Sequence, residues 1–90
     1  MNGYVYILQS KKNGRYYIGS TNNPNRRLDE HNSGLVAASR NKGPWIRVAL
    51  IEFESPTIAR KAEYHLKRQK TRRAIQQVID GTYPWPLFDG

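Results

Sequence analysis

The sequence predicts an α+β domain in which a three-stranded antiparallel sheet is flanked by helices, in the order β-β-α-β-α-α. Three observations predict it. Two runs rich in aromatic and β-branched residues, GYVYILQ at 3–9 and RYYIG at 15–19, are separated by a turn ending Asn13-Gly14. Two cap-then-proline pairs, Asn23-Pro24 and Ser55-Pro56, each open a helical pattern. A third strand-like run, IRVALIEFE at 46–54, lies between those helices.

The first two strands form a hairpin, because Asn-Gly supplies the positive φ angles of a tight turn. Side chains alternate along a strand, so Tyr4 and Tyr6 share one face of the first, and Tyr17 and Gly19 one face of the second. The first helix runs from Pro24 to about Asn32 and stops near Gly34, with Arg27 and His31 four apart on one face. Residues 35–45 read as a polar loop. The second helix, about 56–69, carries an apolar stripe of Ile58, Ala59, Ala62 and Leu66, with Glu63 at its edge. Thr71 caps a third helix bearing Ala74, Ile75, Val78 and Ile79, ended by Gly81. The tail, TYPWPLFDG, holds two prolines and is not helical. Its Tyr83, Trp85, Leu87 and Phe88 are expected to pack back on the core as a lid.

Composition narrows the function. Ninety residues suit one domain, 1–90, and 38% hydrophobic with 24% charged residues is ordinary for a folded chain. No apolar run reaches the length of a membrane span, and the first residues lack the pattern of a signal peptide. The absence of cysteine excludes a disulfide framework, a thiol nucleophile and cysteine-ligated metal. Two histidines and seven carboxylates argue against a rich metal cage. The net charge is +8, and residues 60–73 hold seven basic side chains and one acid. That balance points to a polyanion, DNA or RNA, and not to a membrane, since the basic helix lacks the broad apolar face of an interfacial helix. The expected location is the cytoplasm, with the nucleoid.

One pattern is more specific than charge. Tyr4-Val5-Tyr6 is followed after ten residues by Tyr17-Ile18-Gly19-Ser20-Thr21, then an Asn-rich turn, then Arg26-Arg27-Leu28 and His31-Asn32. These elements, in this order and spacing, resemble the GIY-YIG nuclease superfamily, and within it the small single-domain bacterial branch. The resemblance is strong over 3–33 and extends more loosely through Glu63. Tyr4 stands where the family name has Gly, and no residue matches the family's late asparagine, Asn41 coming too early.

The resemblance implies the GIY-YIG fold and metal-dependent endonuclease chemistry on DNA, with repair or recombination as the setting. Tyr6 would be the general base. A phenol of pKa about 10 is a poor base at neutral pH, so a nearby cation is expected to lower it. Tyr17 would bond the phosphate or orient the attacking water, and Gly19 would let backbone approach the phosphate. Arg27 would grip the scissile phosphate, with His31 as phosphate donor or proton shuttle. Glu63 would be the one protein ligand of Mg²⁺ or Mn²⁺, which take further ligands from water and phosphate. On its own it would read as an i,i+4 partner of Lys67. Arg60, Lys61, Lys67, Arg68, Lys70, Arg72 and Arg73 are phosphate-contact candidates as a group, implying weak sequence specificity and steep salt dependence. Family relatives often append a DNA-recognition domain, so selectivity here is expected from DNA structure, from a partner protein, or not at all. The alternative is a non-catalytic module of the same fold that binds structured DNA or RNA. His65 matches no family position, and Trp45, Trp85 and Phe88 read as core or lid.

Overall fold

Burial decides which strand lies in the middle. In the computed structural model, which describes residues 1–69 and 71–89, strand β1 (Gly3–Ser10) is buried at six of its eight positions. A strand so apolar on both faces must be covered on both, and it is central. Strands β2 (Tyr16–Thr21) and β3 (Trp45–Phe53) flank it, both antiparallel, in the order β2-β1-β3. Tyr6 lies opposite Gly19 and Leu50, and Leu8 opposite Tyr17, which sets these side chains on one face. Between Ile7 and Leu8 the β3 register slips by one residue at Val48, a bulge.

The odd-numbered core residues of β1 face helices α2 (Pro56–Gln69) and α3 (Arg72–Asp80). There Val5 and Ile7 meet Ala59, Ala62, Leu66, Ala74 and Val78. Burying each large aliphatic side chain contributes about 1.5–3 kcal/mol, so this cluster supplies most of the cohesion. α2 begins hard against β1: a Cβ at Gly3 would meet Pro56 Cα at 2.6 Å and Ala59 Cβ at 2.8 Å. The even-numbered residues face helix α1 (Pro24–Asn32). Tyr6, Leu8 and Trp45 are buried there, with Tyr17 and Leu28 packed against them.

The caps expected from sequence are in place. Asn23 Oδ1 accepts from Arg26 N at 3.2 Å, Ser55 Oγ from Ile58 N at 3.2 Å, and Thr71 Oγ1 from Ala74 N at 3.1 Å. Gly81 ends α3 in the left-handed region at φ 77°. The α+β class and the element order are as read from the sequence, with four differences in detail. The hairpin turn is longer than a two-residue turn, spanning 11–15 with Gly14 alone left-handed. The polar loop carries a short 3-10 turn, Ala37–Ser39, and β3 starts one residue early at Trp45. The tail packs on Phe53 and His65 through Tyr83, Trp85 and Phe88, but Leu87 is fully exposed, because the prolines on either side of Trp85 turn the backbone so that these three rings face inward.

Candidate active site

Two elements bring the central side chains together. Arg27 and His31 lie four apart on α1 and both reach Tyr6 on β1. His31 Nε2 is 2.9 Å from Tyr6 Oη, and Arg27 Nε donates to the same oxygen at 3.4 Å. α1 is held in place by Asn32, whose side-chain amide accepts from Trp45 N at 2.7 Å and donates to Trp45 O at 3.1 Å. Arg47 on β3 also donates to Asn25 Oδ1 at 3.3 Å.

Arg27 donates from Nη1 to Glu30 Oε1 at 3.1 Å, which leaves three of its five N–H groups available to a phosphate. Tyr17 completes the cluster. Its ring meets His31 edge-on at 4.7 Å between centroids, with Tyr6 at 6.4 Å and Trp45 at 6.2 Å. Its hydroxyl has no hydrogen-bond partner among the described residues, so it is available to substrate or water.

Glu63 approaches from the other side of the sheet, over the exposed edge of β2. Ser20 Oγ donates to Glu63 Oε1 at 2.5 Å, and Lys67 Nζ to Oε2 at 2.6 Å. Lys67 Nζ also lies 6.0 Å from the Tyr17 ring centroid, which ties this carboxylate to the tyrosine cluster around the edge strand. A shallow groove lined by Tyr16, Tyr17, Ile18, Lys67 and Ile75 runs along that edge. No group of three or more His, Cys, Asp or Glu side chains among the described residues could enclose a metal ion. A single carboxylate oriented by a hydroxyl still fits Mg²⁺, which keeps most of its water shell and takes phosphate oxygens as ligands. Lys67 would share or cede Oε2 to such an ion.

Three sequence expectations are corrected. Burial pushes the Tyr6 phenol above its ordinary pKa of 10.0, outweighing the hydrogen bond from Arg27 that favours its anion. Tyr6 is therefore a neutral phenol at pH 7, not a phenolate activated by a cation. The space above Gly19 is filled by Tyr6: a Cβ at position 19 would overlap the phenol, so this glycine makes room for a side chain on that face and not for a phosphate. His31 is too buried to be a cationic phosphate donor. Burial, and then the neighbouring Arg27, lower its pKa from 6.5 to about 4.

The basic stretch is divided by helical geometry. Arg60, Glu63 and Lys67 share one side of α2, facing the β2 edge, where Arg60 lines a pocket with Ser20, Thr21 and Asn22. Lys61 and Arg68 point elsewhere. Lys61 donates to the Asp89 carbonyl of the tail, and Arg68 lies over Tyr64, 5.7 Å from its centroid. Arg72 and Arg73 are exposed in the first turn of α3, and Lys70 lies outside the described residues. His65 belongs to the tail contact, with Nε2 2.8 Å from Tyr83 Oη.

Sequence reasoning missed Ser20, Asn32 and Ser39. Ser20 was accessible by alternation, since the residue after Gly19 must face α2. Ser39, whose Oγ lies 2.6 Å from His31 Nδ1, sits in an irregular loop that carries no periodic signal.

Comparison with known proteins places the chain in a family. A model of the GIY-YIG catalytic domain matches residues 2–76. The UPF0213 protein BH0048 of Halalkalibacterium halodurans is 40% identical over 79 residues, covering 87% of this chain and 83% of that protein. Its solution NMR structure covers 93% of this chain and 88% of its own, with a TM-score of 0.56 and 36% identity. The structure-specific endonuclease subunit SLX1 of Podospora anserina is 47% identical over an alignment of 74 residues that covers 74% of this chain but only 21% of that protein.

Proposed function

The chain belongs to the GIY-YIG catalytic-domain family and is an endonuclease of that type, and from that premise we propose that it hydrolyses phosphodiester bonds in DNA with one divalent cation. The observation that carries the reading is the Tyr6 hydroxyl, held between an arginine and a neutral histidine in a half-open cluster.

The chemistry follows from that placement. A water aligned beside Tyr6 attacks phosphorus. Its proton passes to Tyr6 Oη as the phenol's own proton moves to His31 Nε2, so Tyr6 acts as a base without becoming a free phenolate. One P–O bond to sugar breaks, the leaving oxygen takes a proton from solvent water, and His31, with its pKa lowered to about 4, passes its proton back through Tyr6 to solvent. Arg27 bonds the non-bridging oxygens and counters the growing charge, with the Tyr17 hydroxyl as a second donor. Mg²⁺ or Mn²⁺, held by Glu63 with Ser20 orienting the carboxylate, would supply Lewis-acid stabilisation of the phosphate and leaving oxygen. Arg60 and Lys67 flank Glu63 and suit the neighbouring phosphates.

Contacts of this kind favour selection by shape over base sequence. The SLX1 relative is named as structure-specific and as a subunit, which supports branched or flapped DNA as substrate, a partner protein, and a setting in repair or recombination. The test is a cleavage panel of duplex, single-stranded, flap and branched DNA, plus RNA, with Mg²⁺ or Mn²⁺ at low salt. The wild type is expected to cut, and Glu63→Gln and Tyr6→Phe to bind without cutting. Binding without any cleavage by the wild type would leave a recognition module of the same fold.

A further inference from the structure

Behind Tyr6 lies a chain of hydrogen bonds whose two ends favour one direction. Arg27 Nε donates to Tyr6 Oη, Tyr6 Oη is 2.9 Å from His31 Nε2, His31 Nδ1 is 2.6 Å from Ser39 Oγ, and Ser39 Oγ donates to the Val36 carbonyl at 3.4 Å. At one end the guanidinium can only donate, so it engages one lone pair of Tyr6, and the phenol hydrogen is free to turn to Nε2. At the other end the Val36 carbonyl, which also accepts from Ser39 N at 3.1 Å, can only accept, so a Ser39 hydrogen turned to it leaves a lone pair for Nδ1. A neutral imidazole carries one hydrogen, and with both end contacts made that hydrogen sits on Nδ1.

We propose that Ser39 is a positioning residue that holds His31 in its Nδ1–H tautomer, keeping Nε2 free to take the proton of Tyr6. The catalytic meaning of this assignment rests on the nuclease reading above; the tautomer itself does not. Ser39 is 1% exposed and His31 2%, so the hydroxyl and the ring meet out of bulk water. The Ser39 backbone is fixed in turn, since Trp45 Nε1 donates to its carbonyl at 3.2 Å. The reverse arrangement, with Ser39 donating to Nδ1, would aim Nε2–H at Tyr6 and force the phenol hydrogen outward. Tyr6 would then be an acid toward the attacking water and not a base. The same hydroxyl holds the imidazole after it takes the proton, since His31 with both nitrogens protonated still donates from Nδ1 to Ser39 Oγ.

The deciding measurement is ¹⁵N NMR of the histidine rings in the free full chain between pH 5 and 8. The expected result is a protonated Nδ1 and an unprotonated Nε2 on His31; a protonated Nε2 overturns the proposal. In parallel, Ser39→Ala is expected to reduce kcat about 10- to 100-fold on the cleaved DNA with KM unchanged and to move the acid limb of the pH profile. Ser39→Thr, which keeps the hydroxyl, is expected to restore both. Wild-type kcat and pH profile in Ser39→Ala would overturn the proposal, as would a loss that Ser39→Thr does not repair. Should Ser39→Ala fail to fold, the wild-type spectrum still decides. Should the wild type cleave nothing, the nuclease reading falls while the spectrum still settles the tautomer.

Discussion

The two faces of the sheet are made of different matter. Toward α2 and α3 the buried side chains are aliphatic: Val5, Ile7, Ala59, Ala62, Leu66, Ala74 and Val78. Toward α1 the buried set includes Tyr6, His31, Ser39 and Trp45. Among the described residues no buried side-chain nitrogen or oxygen lacks a partner, so the polar face is fully satisfied. Aliphatic burial contributes free energy in proportion to area, while a satisfied hydrogen bond contributes only about 0.5–1.5 kcal/mol net but fixes atoms in place. The comparison teaches a division of labour: one face holds the fold and the other holds a geometry. Glu63 crosses that division. It grows from the structural helix and bonds Ser20 on that side of β2, and its ion-pair partner Lys67 reaches round the edge to the Tyr17 ring.

The largest expected effect breaks the polar face without touching the other. Tyr6→Phe removes one hydroxyl from between Arg27 and His31 and leaves the ring packing intact. Cleavage is expected to fall about 10²–10⁴-fold, with a stability change of only about 1 kcal/mol, read by single-turnover assays and urea titration. The converse is Leu66→Ala, at 1% exposure on the aliphatic face. It is expected to cost about 2–5 kcal/mol of stability while kcat per folded molecule stays near the wild-type value. If Leu66→Ala instead abolished kcat in the folded fraction, the two faces would be coupled.

What the sequence disclosed follows the same division. The aliphatic stripe of α2, the caps and the Gly81 stop were legible because each is a local signal, complete within a turn or two. Tyr6, Tyr17, Arg27, His31 and Glu63 were legible as residues through their motif and spacing. Their states were not. The protonation of Tyr6 and His31 depends on how deeply α1 and the 37–39 turn bury them, and nothing in the strand or helix pattern states that depth. Ser39 and the Asn32–Trp45 clamp are contacts made by an irregular loop, where periodicity has no purchase. The basic run 60–73 read as one patch, although at about 100° per residue a helix must distribute such a run around its circumference.

The next effect sharpens the comparison through pH. His31 stays neutral in the folded protein down to about pH 4, whereas an unfolded histidine takes its proton near 6.5. Between those values the unfolded chain binds more protons, so stability falls as pH falls, by about 3 kcal/mol in all, and His31 adds no further loss below pH 4. The groups facing the ring are Arg27, which reinforces the burial effect, and Glu30, which opposes it. Denaturant titrations at pH 7 and 4.5 are expected to show this loss in the wild type and to show it reduced in His31→Gln. An unchanged slope in His31→Gln would mean that the ring is more hydrated than its 2% exposure implies.

The smallest effect tests how α2 itself is divided. Arg60 stands on the Glu63 side by Ser20, Thr21 and Asn22, while Lys61, one residue on, is turned to the tail and bonded to the Asp89 carbonyl. Each phosphate neutralised contributes about 0.9 to the slope of log affinity against log salt. Arg60→Ala is therefore expected to reduce that slope by about 0.9 on a bound, uncleaved duplex, and Lys61→Ala to leave it unchanged. Binding would be measured with the Glu63→Gln background so that cleavage does not intrude. Equal losses for both substitutions would mean that the nucleic acid wraps the outer side of α2 as well, and that the tail must lift to admit it. A loss for Arg60 alone would confine the backbone track to the β2 edge. There the same helix that supplies Leu66 to the aliphatic core also supplies Glu63, Arg60 and Lys67 to the site, and the position of the core dictates where the phosphates can lie.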